Sequence, residues 1–512
     1  MVIEVRGSLR SYVLRSAVAA LSCIWAGNVT ACWPYECKDW LDCPQTQPSP
    51  CIADPAEAPA EDRCGVFVSS SLGSDDATGT RAAPVRSLAA AISLAEGGPR
   101  RIYACAEAFT EAVILPAGIE LWGGLDCAND WGYQGARRKT LIAPGGDAVP
   151  LRIKGGGGRS RVADVRAEAA HAQVPSGSSV AVMVMAEATA EILRSELVAG
   201  NGANGMHGRD GGVGPARAGT PGIDGGDACT ADMVPGGAAV LTKCDGLTSV
   251  GGQGGQGNNG DGGDGMNGEP VPVPNPLGTG LGGNGQTSSE PCHEGTLGSL
   301  GADGLDGEGG RGPGRLTLTG WEGEPGRDGG DGRPGQGGGG GGAARGSTVL
   351  CGAGQPRGGA GGGGGGAGGC GGKGGKGGGQ GGASIGLLSL GTDVVVRSTT
   401  IFTSDGGDGG HGGHYQHGGL GGPGGLGGAV FNAATEGCAG AWGGDGGRGG
   451  HGGGGAGGPS IGIAYVLGQP VDQQDVAIQP GRPGRGGFGG NPNIPGSAGD
   501  DGVDSEIMTF PR

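Results

Sequence analysis

Three histidines, His411, His414 and His417, recur at every third position of DGGDGGHGGHYQHGGLGGPGGLGGA (405–429). On an α-helix neighbours three apart share a face and could hold one metal ion, but Gly-Gly spacers oppose an α-helix. On a helix of three residues per turn and about 3.1 Å rise, successive side chains stand about 9.3 Å apart, too far for one ion. The three are expected to form a surface row whose functional corollary is a pH-dependent edge. The many GGDGG units invite a calcium reading. A calcium-binding nonapeptide needs Asp at its sixth place, however, where the units starting at Gly254 and Gly262 put Asn259 and Asn267. No metal and no cofactor is assigned. Polysaccharide cleavage would need carboxylates and bases on one face. Glu107, Glu111, Asp126 and Asp130 are available, with Arg152, Lys154, Arg159 and Arg161, yet their spacing does not gather them. The chain lacks HExxH and a phosphate loop ending in GK[ST], and no catalytic residue is assigned.

Cysteines carry the next signal. Residues 1–31 read as an export signal: Arg6, Arg10 and Arg15 lead an apolar run, SAVAALSCIWAG (16–27), too short to span a bilayer. Val29-Thr30-Ala31-Cys32 follows, and the order resembles a bacterial lipoprotein signal, which implies cleavage before Cys32 and a lipid on its sulfur. Trp33 and Pro34 lack the aspartate that such signals use for inner-membrane retention, so the resemblance implies an outer-membrane or cell-surface location. Twelve cysteines then remain: Cys37, Cys43, Cys51, Cys64, Cys105, Cys127, Cys229, Cys244, Cys292, Cys351, Cys370 and Cys438. An even number in an exported chain reads as disulfides, and no pair has the CxxC spacing of a zinc site. Cys229 with Cys244 and Cys351 with Cys370 are the local pairings expected. A formal net charge of −16 without a basic cluster argues against nucleic acid as a partner.

The elements that must position these residues fall into two kinds. Of 133 glycines, 20 lie in residues 1–200 and 113 in the remaining 312. Residues 32–64 read as a Cys/Pro-rich spacer. Residues 65–200 alternate short strand-like runs (VFVSS, RIYAC, EAVILPAGIELWGG, TLIAP, LRIK, RVADVRAEA, SVAVMVM, AEILRSELV) with turns. Within them SLAAAISLAEGG predicts a short helix with Leu88, Ile92 and Ala95 on one face. GVFVSSSLGSDDATGTRAAPVRSLAAAISLAEGGPRRIYACAEAFTEAVILPAGIELWGG resembles the opening of bacterial right-handed parallel β-helix surface proteins of the pectin-lyase-like superfamily. The likeness rests on Gly73-Ser74-Asp75, Gly79-Thr80, Pro84, Leu88, Ala91-Ile92, Glu111, Leu115-Pro116, Gly118 and Gly123-Gly124. It implies a helix capping the open end of the coil, and a structural part for Glu111. An internal repeat matches residues 177–208 to 382–412, and a third start, SIGIAYVLG (460–468), repeats Ser384-Ile385-Gly386. The repeats are expected to be rungs of one continuing β-helix.

The remaining division follows from composition: 201–383 a glycine-rich insertion, 384–404 a strand unit, 405–459 a GGX insertion, 460–480 a strand unit and 481–512 a Gly/Pro-rich tail. Glycine supplies no side chain to a core, so these stretches are ordered by backbone pairing or not at all. A GGX helix has two bare edges on which neighbouring chains can exchange N–H···O bonds, and a packed bundle of polyglycine or polyproline II-type helices is expected. A disordered linker is the alternative. Collagen is disfavoured because GEPGRDGGDGRPGQGG and GSLGADGLDGEGG keep their period for only a few triplets. The whole resembles glycine-rich, PGRS-like bacterial surface proteins. The expected function is a non-enzymatic envelope surface lipoprotein with a structural, adhesive or matrix-contact role. It would be held to the membrane by its lipid and would meet polysaccharide, envelope components or other copies of itself. A polysaccharide lyase or hydrolase on the β-helix face, and a glycan- or ice-binding surface, are the alternatives.

Overall fold

A computed structural model describes residues 51–511. The signal (1–31), the lipidation residue Cys32, Cys37 and Cys43 lie outside the described residues. Among the described residues the fold is mainly β, with two helices, Leu88–Glu96 and Thr348–Cys351. Three parallel sheets dominate it. The first runs Val66–Val68, Arg101–Cys105, Glu120–Asp126, Arg159–Ala163, Thr189–Leu193, Asp393–Arg397 and Val471–Gln474, with Gly132–Tyr133 antiparallel to Glu120–Asp126. The second runs Ala108–Phe109, Thr140–Ile142, Val165–Glu168, Glu196–Ala199, Thr400–Thr403 and Ala477–Gln479. The third runs Val113–Leu115, Leu151–Ile153, Ser179–Val184, Ser384–Ser389, Ser460–Val466 and Asp504–Phe510.

From Leu151 onward the chain visits the third, first and second sheets in fixed rotation. Between the first and second sheets it turns on one residue of positive φ in four successive circuits: Asp164, Arg194, Ser398 and Asp475. The sequence repeat is thereby explained. Ser179 pairs with Ser384 and Ser384 with Ser460, so the repeated runs are adjacent strands of one sheet. Inward residues from all three sheets, among them Ile102, Leu121, Ile153, Val182, Ile192, Leu387 and Val396, form one fully buried core. The helix covers the first end of this core with Leu88, Ala91 and Ala95; Ile92 is partly buried beside them. Two features add to the sequence reading. Within the expected spacer, Ala60 and Cys64 are buried in one cluster with Tyr103 and Trp122. The tail contains a strand, Asp504–Phe510, added to the third sheet beside Ser460–Val466.

Every glycine-rich stretch leaves from the second sheet and returns to the third: after Ala199 until Ser384, after Thr403 until Ser460, and after Gln479 until Asp504. Sharing one corner, the stretches lie side by side. Apart from two hairpins and the short second helix they contain almost no strand or helix, yet their backbones are paired at every third residue. Gly202, Gly205 and Gly208 donate to the carbonyls of Asp405, Asp408 and His411 at 2.7–2.9 Å. Gly407, Gly410 and Gly413 donate to Gly382, Gly379 and Lys376, and Gly382, Gly379 and Lys376 donate to Ala203, Met206 and Arg209. Segments 202–228, 405–429 and 358–382 thus close a triangle of donors and acceptors.

The number of glycines per triplet follows the number of neighbours. Segment 298–307, with one glycine per triplet (GSLGADGLDG), donates to 442–451 and accepts from 327–336, and does little else. Segment 405–429 keeps two and touches four segments. Gly362, Gly363 and Gly364, in a run of pure glycine, donate to Gly255, Cys438 and Ile223 and accept from Gly237, Gly341 and Gly425. Those six partners surround the run completely, and residues 358–370 are buried. A side chain has no room there: a Cβ on Gly363 would lie 2.1 Å from the Gly425 carbonyl oxygen. The same rule acts along a single segment. Residues 439–451 carry a side chain at every third place, and 452–455, where 484–490 and 497–500 also pack, are all glycine.

Candidate functional site

The carboxylates that could serve catalysis are engaged elsewhere. Glu107 accepts hydrogen bonds from the hydroxyls of Ser69, Ser70 and Ser71. Burial pushes its carboxyl up, but the bonds from Ser71, Ser70 and Ser69 outweigh that and hold it below its ordinary value. Glu111 accepts from the N–H groups of Leu88 at 2.6 Å and Ala89 at 3.1 Å, satisfying the free donors of the helix start beside the Ser87 cap. Asp126 binds the Asn129 amide, and Asp130 is exposed beside Arg81. Among the bases, Arg159 pairs with Asp393, while Arg152 and Lys154 sit in and just after the strand Leu151–Ile153. Arg161 belongs to a ladder of alternating charge across five strands of the first sheet: Arg101, Glu120, Arg161, Glu191 and Arg397. The Trp122 indole donates to Glu120, and the Arg101 and Arg161 guanidinium groups lie 5.1 and 5.5 Å from its ring. Glu120 and Glu191 each bridge guanidinium groups of two neighbouring strands, an arrangement that suits cohesion between strands.

The histidine row has a structural task that spacing alone did not reveal. His411 N–H donates to Nδ1 of His207, and Phe488 N–H donates to Nδ1 of His411, both at 2.9 Å, with the three rings stacked at 4.8 and 5.3 Å. One triplet away Asp408 N–H donates to Asn204 and Arg485 N–H donates to Asp408, both at 2.8 Å. Short side chains with an acceptor therefore stand where they receive the next segment's N–H, which explains why Asp, Asn and His recur on the third beat. His414 and Tyr415 meet His451 edge to face, and His417 meets Tyr415. Among the described residues no three His, Cys, Asp or Glu side chains converge as metal ligands.

An opening lies in the glycine-rich part, a trough of about 1160 Å³. Its floor is the side-chain edge of the central segment: Cys370, Lys373 and Lys376. Its walls come from segments 202–228 and 326–344, and the turn of the hairpin Leu241–Cys244/Leu247–Val250 closes one end. Lys373 Nζ lies 2.8 Å from Asp331 and 2.9 Å from Asp245, and Lys376 Nζ lies 2.8 Å from Asp328. The Lys376 ammonium holds the Asp328 carboxyl below its ordinary value, and Asp331 and Asp245 raise Lys373.

Five disulfides join described cysteines: Cys51–Cys64, Cys105–Cys127, Cys229–Cys351, Cys244–Cys370 and Cys292–Cys438. The expected local pairs Cys229–Cys244 and Cys351–Cys370 are corrected. Backbone pairing lays distant segments side by side, which brings Cys229 and Cys351 to a Cα separation of 5.5 Å and Cys244 and Cys370 to 5.3 Å, within bridging reach. No helix among the described residues is long and apolar enough to cross a membrane. No family model matches the chain, and no curated protein or solved structure is similar to it.

Proposed function

We propose that the protein is a non-enzymatic, exported surface protein with a structural or adhesive role, built as a parallel β-helix that carries a lattice of three-residue glycine helices. The rotation of the chain through three sheets supports the coil, and the triplet period of the backbone bonds supports the helices. The observation that carries the function is the fate of the carboxylates. Glu107, Glu111, Glu120 and Glu191 are all occupied by hydroxyl, backbone or guanidinium partners, whereas the hydrogen-bonded glycine-rich segments carry side chains at every third place. Disulfides in the described residues fit an oxidising exterior. A lipid on Cys32 would place the lattice at the outer membrane. The mixed Asp, His, Leu and Lys edges do not form the uniform flat array that ice recognition would use.

The test compares surface attachment of cells displaying the chain with that of cells displaying it without residues 201–383 and 405–459. The expected result is attachment lost with the lattice and envelope location retained. Attachment unchanged by the deletion, together with depolymerisation of a polysaccharide by the intact protein, would overturn the reading.

A further inference from the structure

The trough is a place where the lattice of the central segment is incomplete. One in three of its N–H groups faces this side. Gly362 and Gly365 donate to the carbonyls of Gly255 and Gly252, so a neighbouring segment fills the position there. Gly368 donates to the Ser249 hydroxyl, Gly374 to the Asp331 carboxylate and Gly377 to the Asp328 carboxylate, at 2.8–2.9 Å. Side-chain oxygens have replaced a missing segment. Gly371, between Gly368 and Gly374 in this series, lines the trough, and its N–H has no partner among the described residues.

Charge points the same way. The carboxylates Asp245, Asp328 and Asp331 are paired with Lys373 and Lys376, which leaves the side chains of Arg217, Lys243 and Arg333 lining the opening without a carboxylate partner among the described residues. With five cations against three carboxylates the trough is net positive, in a molecule of formal net charge −16. Such a contrast focuses anions. Two guanidinium groups, an ammonium and a free N–H suit oxyanions, while the interspersed carboxylates accept hydroxyl hydrogens and oppose a densely charged phosphodiester. Pro334 and Leu247 are the only large apolar side chains in the lining, which disfavours an apolar ligand.

We propose that this trough binds a segment of acidic polysaccharide, its oxyanions on Arg217, Arg333, Lys243 and the Gly371 N–H, its hydroxyls on the carboxylates of Asp328 and Asp331 in the wall and Asp245 at the hairpin turn. The inference rests on the adhesive reading for its biological sense, but its test is separate. The intact, oxidised protein is titrated calorimetrically with alginate oligomers, dextran sulfate, neutral dextran, poly-glutamate and inorganic sulfate. Both acidic glycans are expected to bind, and R217Q/K243Q/R333Q is expected to weaken them roughly tenfold or more with an unchanged melting temperature. The single variant K243E gives the same direction if the triple variant fails to fold. Equal affinity for neutral dextran, equal affinity for poly-glutamate, binding of sulfate alone as tight as the oligomers, or variants that bind like the natural chain would each overturn the proposal. Binding accompanied by cleavage would support the site and overturn the non-enzymatic reading, so the two claims fail separately.

Discussion

Gly363 and Gly364 are identical residues with different tasks, and the difference is measurable. A Cβ on Gly363 would meet the Gly425 carbonyl oxygen at 2.1 Å. On Gly364 the nearest atoms are 3.0 Å away, on the same edge that carries Ala367, Cys370 and Lys373. Gly363→Ala should therefore destabilise the glycine-rich part by about 1–3 kcal/mol or more and Gly364→Ala by clearly less, read from denaturant midpoints. Equal effects would mean that glycine acts there only through chain flexibility. His451 gives a pH test. Burial pushes its imidazole below the ordinary value of 6.5, outweighing the opposing pull of Asp306, and the charges of His414 and Arg448 add smaller pushes in the same direction as burial. The unfolded chain then binds more protons, so stability should fall as pH drops through and below about 6.5. Replacing His451 with Gln should flatten that slope; a slope unchanged in the variant would remove His451 from the account. The period of three was legible in the sequence. The acceptor function of His207, His411 and Asp408 was not, because it depends on which segment lies alongside, and that follows from pairings some 77 and 204 residues apart.

At the level of elements, the strands of residues 65–200 and the helix Leu88–Glu96 were readable because alternation and turn residues are local signals. Glu111 was assigned to structure, and its bonds to Leu88 and Ala89 supply the cause. Glu111→Ala should cost about 1 kcal/mol in thermal unfolding, as a lost helix cap does, and Glu111→Gln less. A variant of wild-type stability would contradict that assignment. The strand Asp504–Phe510 was missed: its residues are mostly exposed, so the apolar alternation that marks a half-buried strand is weak. Its place at the edge of the third sheet leaves open backbone groups, and Asp504 and Glu506 stand on it, with Asp472 on the neighbouring edge of the first sheet. Carboxylates on an open edge oppose pairing with a second copy. D472N/D504N/E506Q should raise self-association in sedimentation at neutral pH, and an unchanged monomer would count against this protective role.

Across the whole molecule, two parts order by different means. The three sheets bury a side-chain core, whereas the glycine-rich part gains about 1 kcal/mol net per hydrogen bond against about 1–2 kcal/mol of backbone entropy per residue. Such a balance needs anchors. The shared corner of the second and third sheets is one, and Cys229–Cys351, Cys244–Cys370 and Cys292–Cys438, which close loops of 122, 126 and 146 residues, are the others. Reduction should therefore loosen the glycine-rich part well before the sheets, seen as a separate early unfolding step. The pairings themselves were not legible, since lattice neighbours are set by packing rather than by distance along the chain. The central claim is that glycine runs form the hydrogen-bonded interior of a lattice. Hydrogen exchange of the Gly361–Gly372 amides in the oxidised protein tests it most directly. The account predicts protection comparable to that of the Ser384–Ser389 strand; exchange at the rate of an unstructured glycine chain would contradict it.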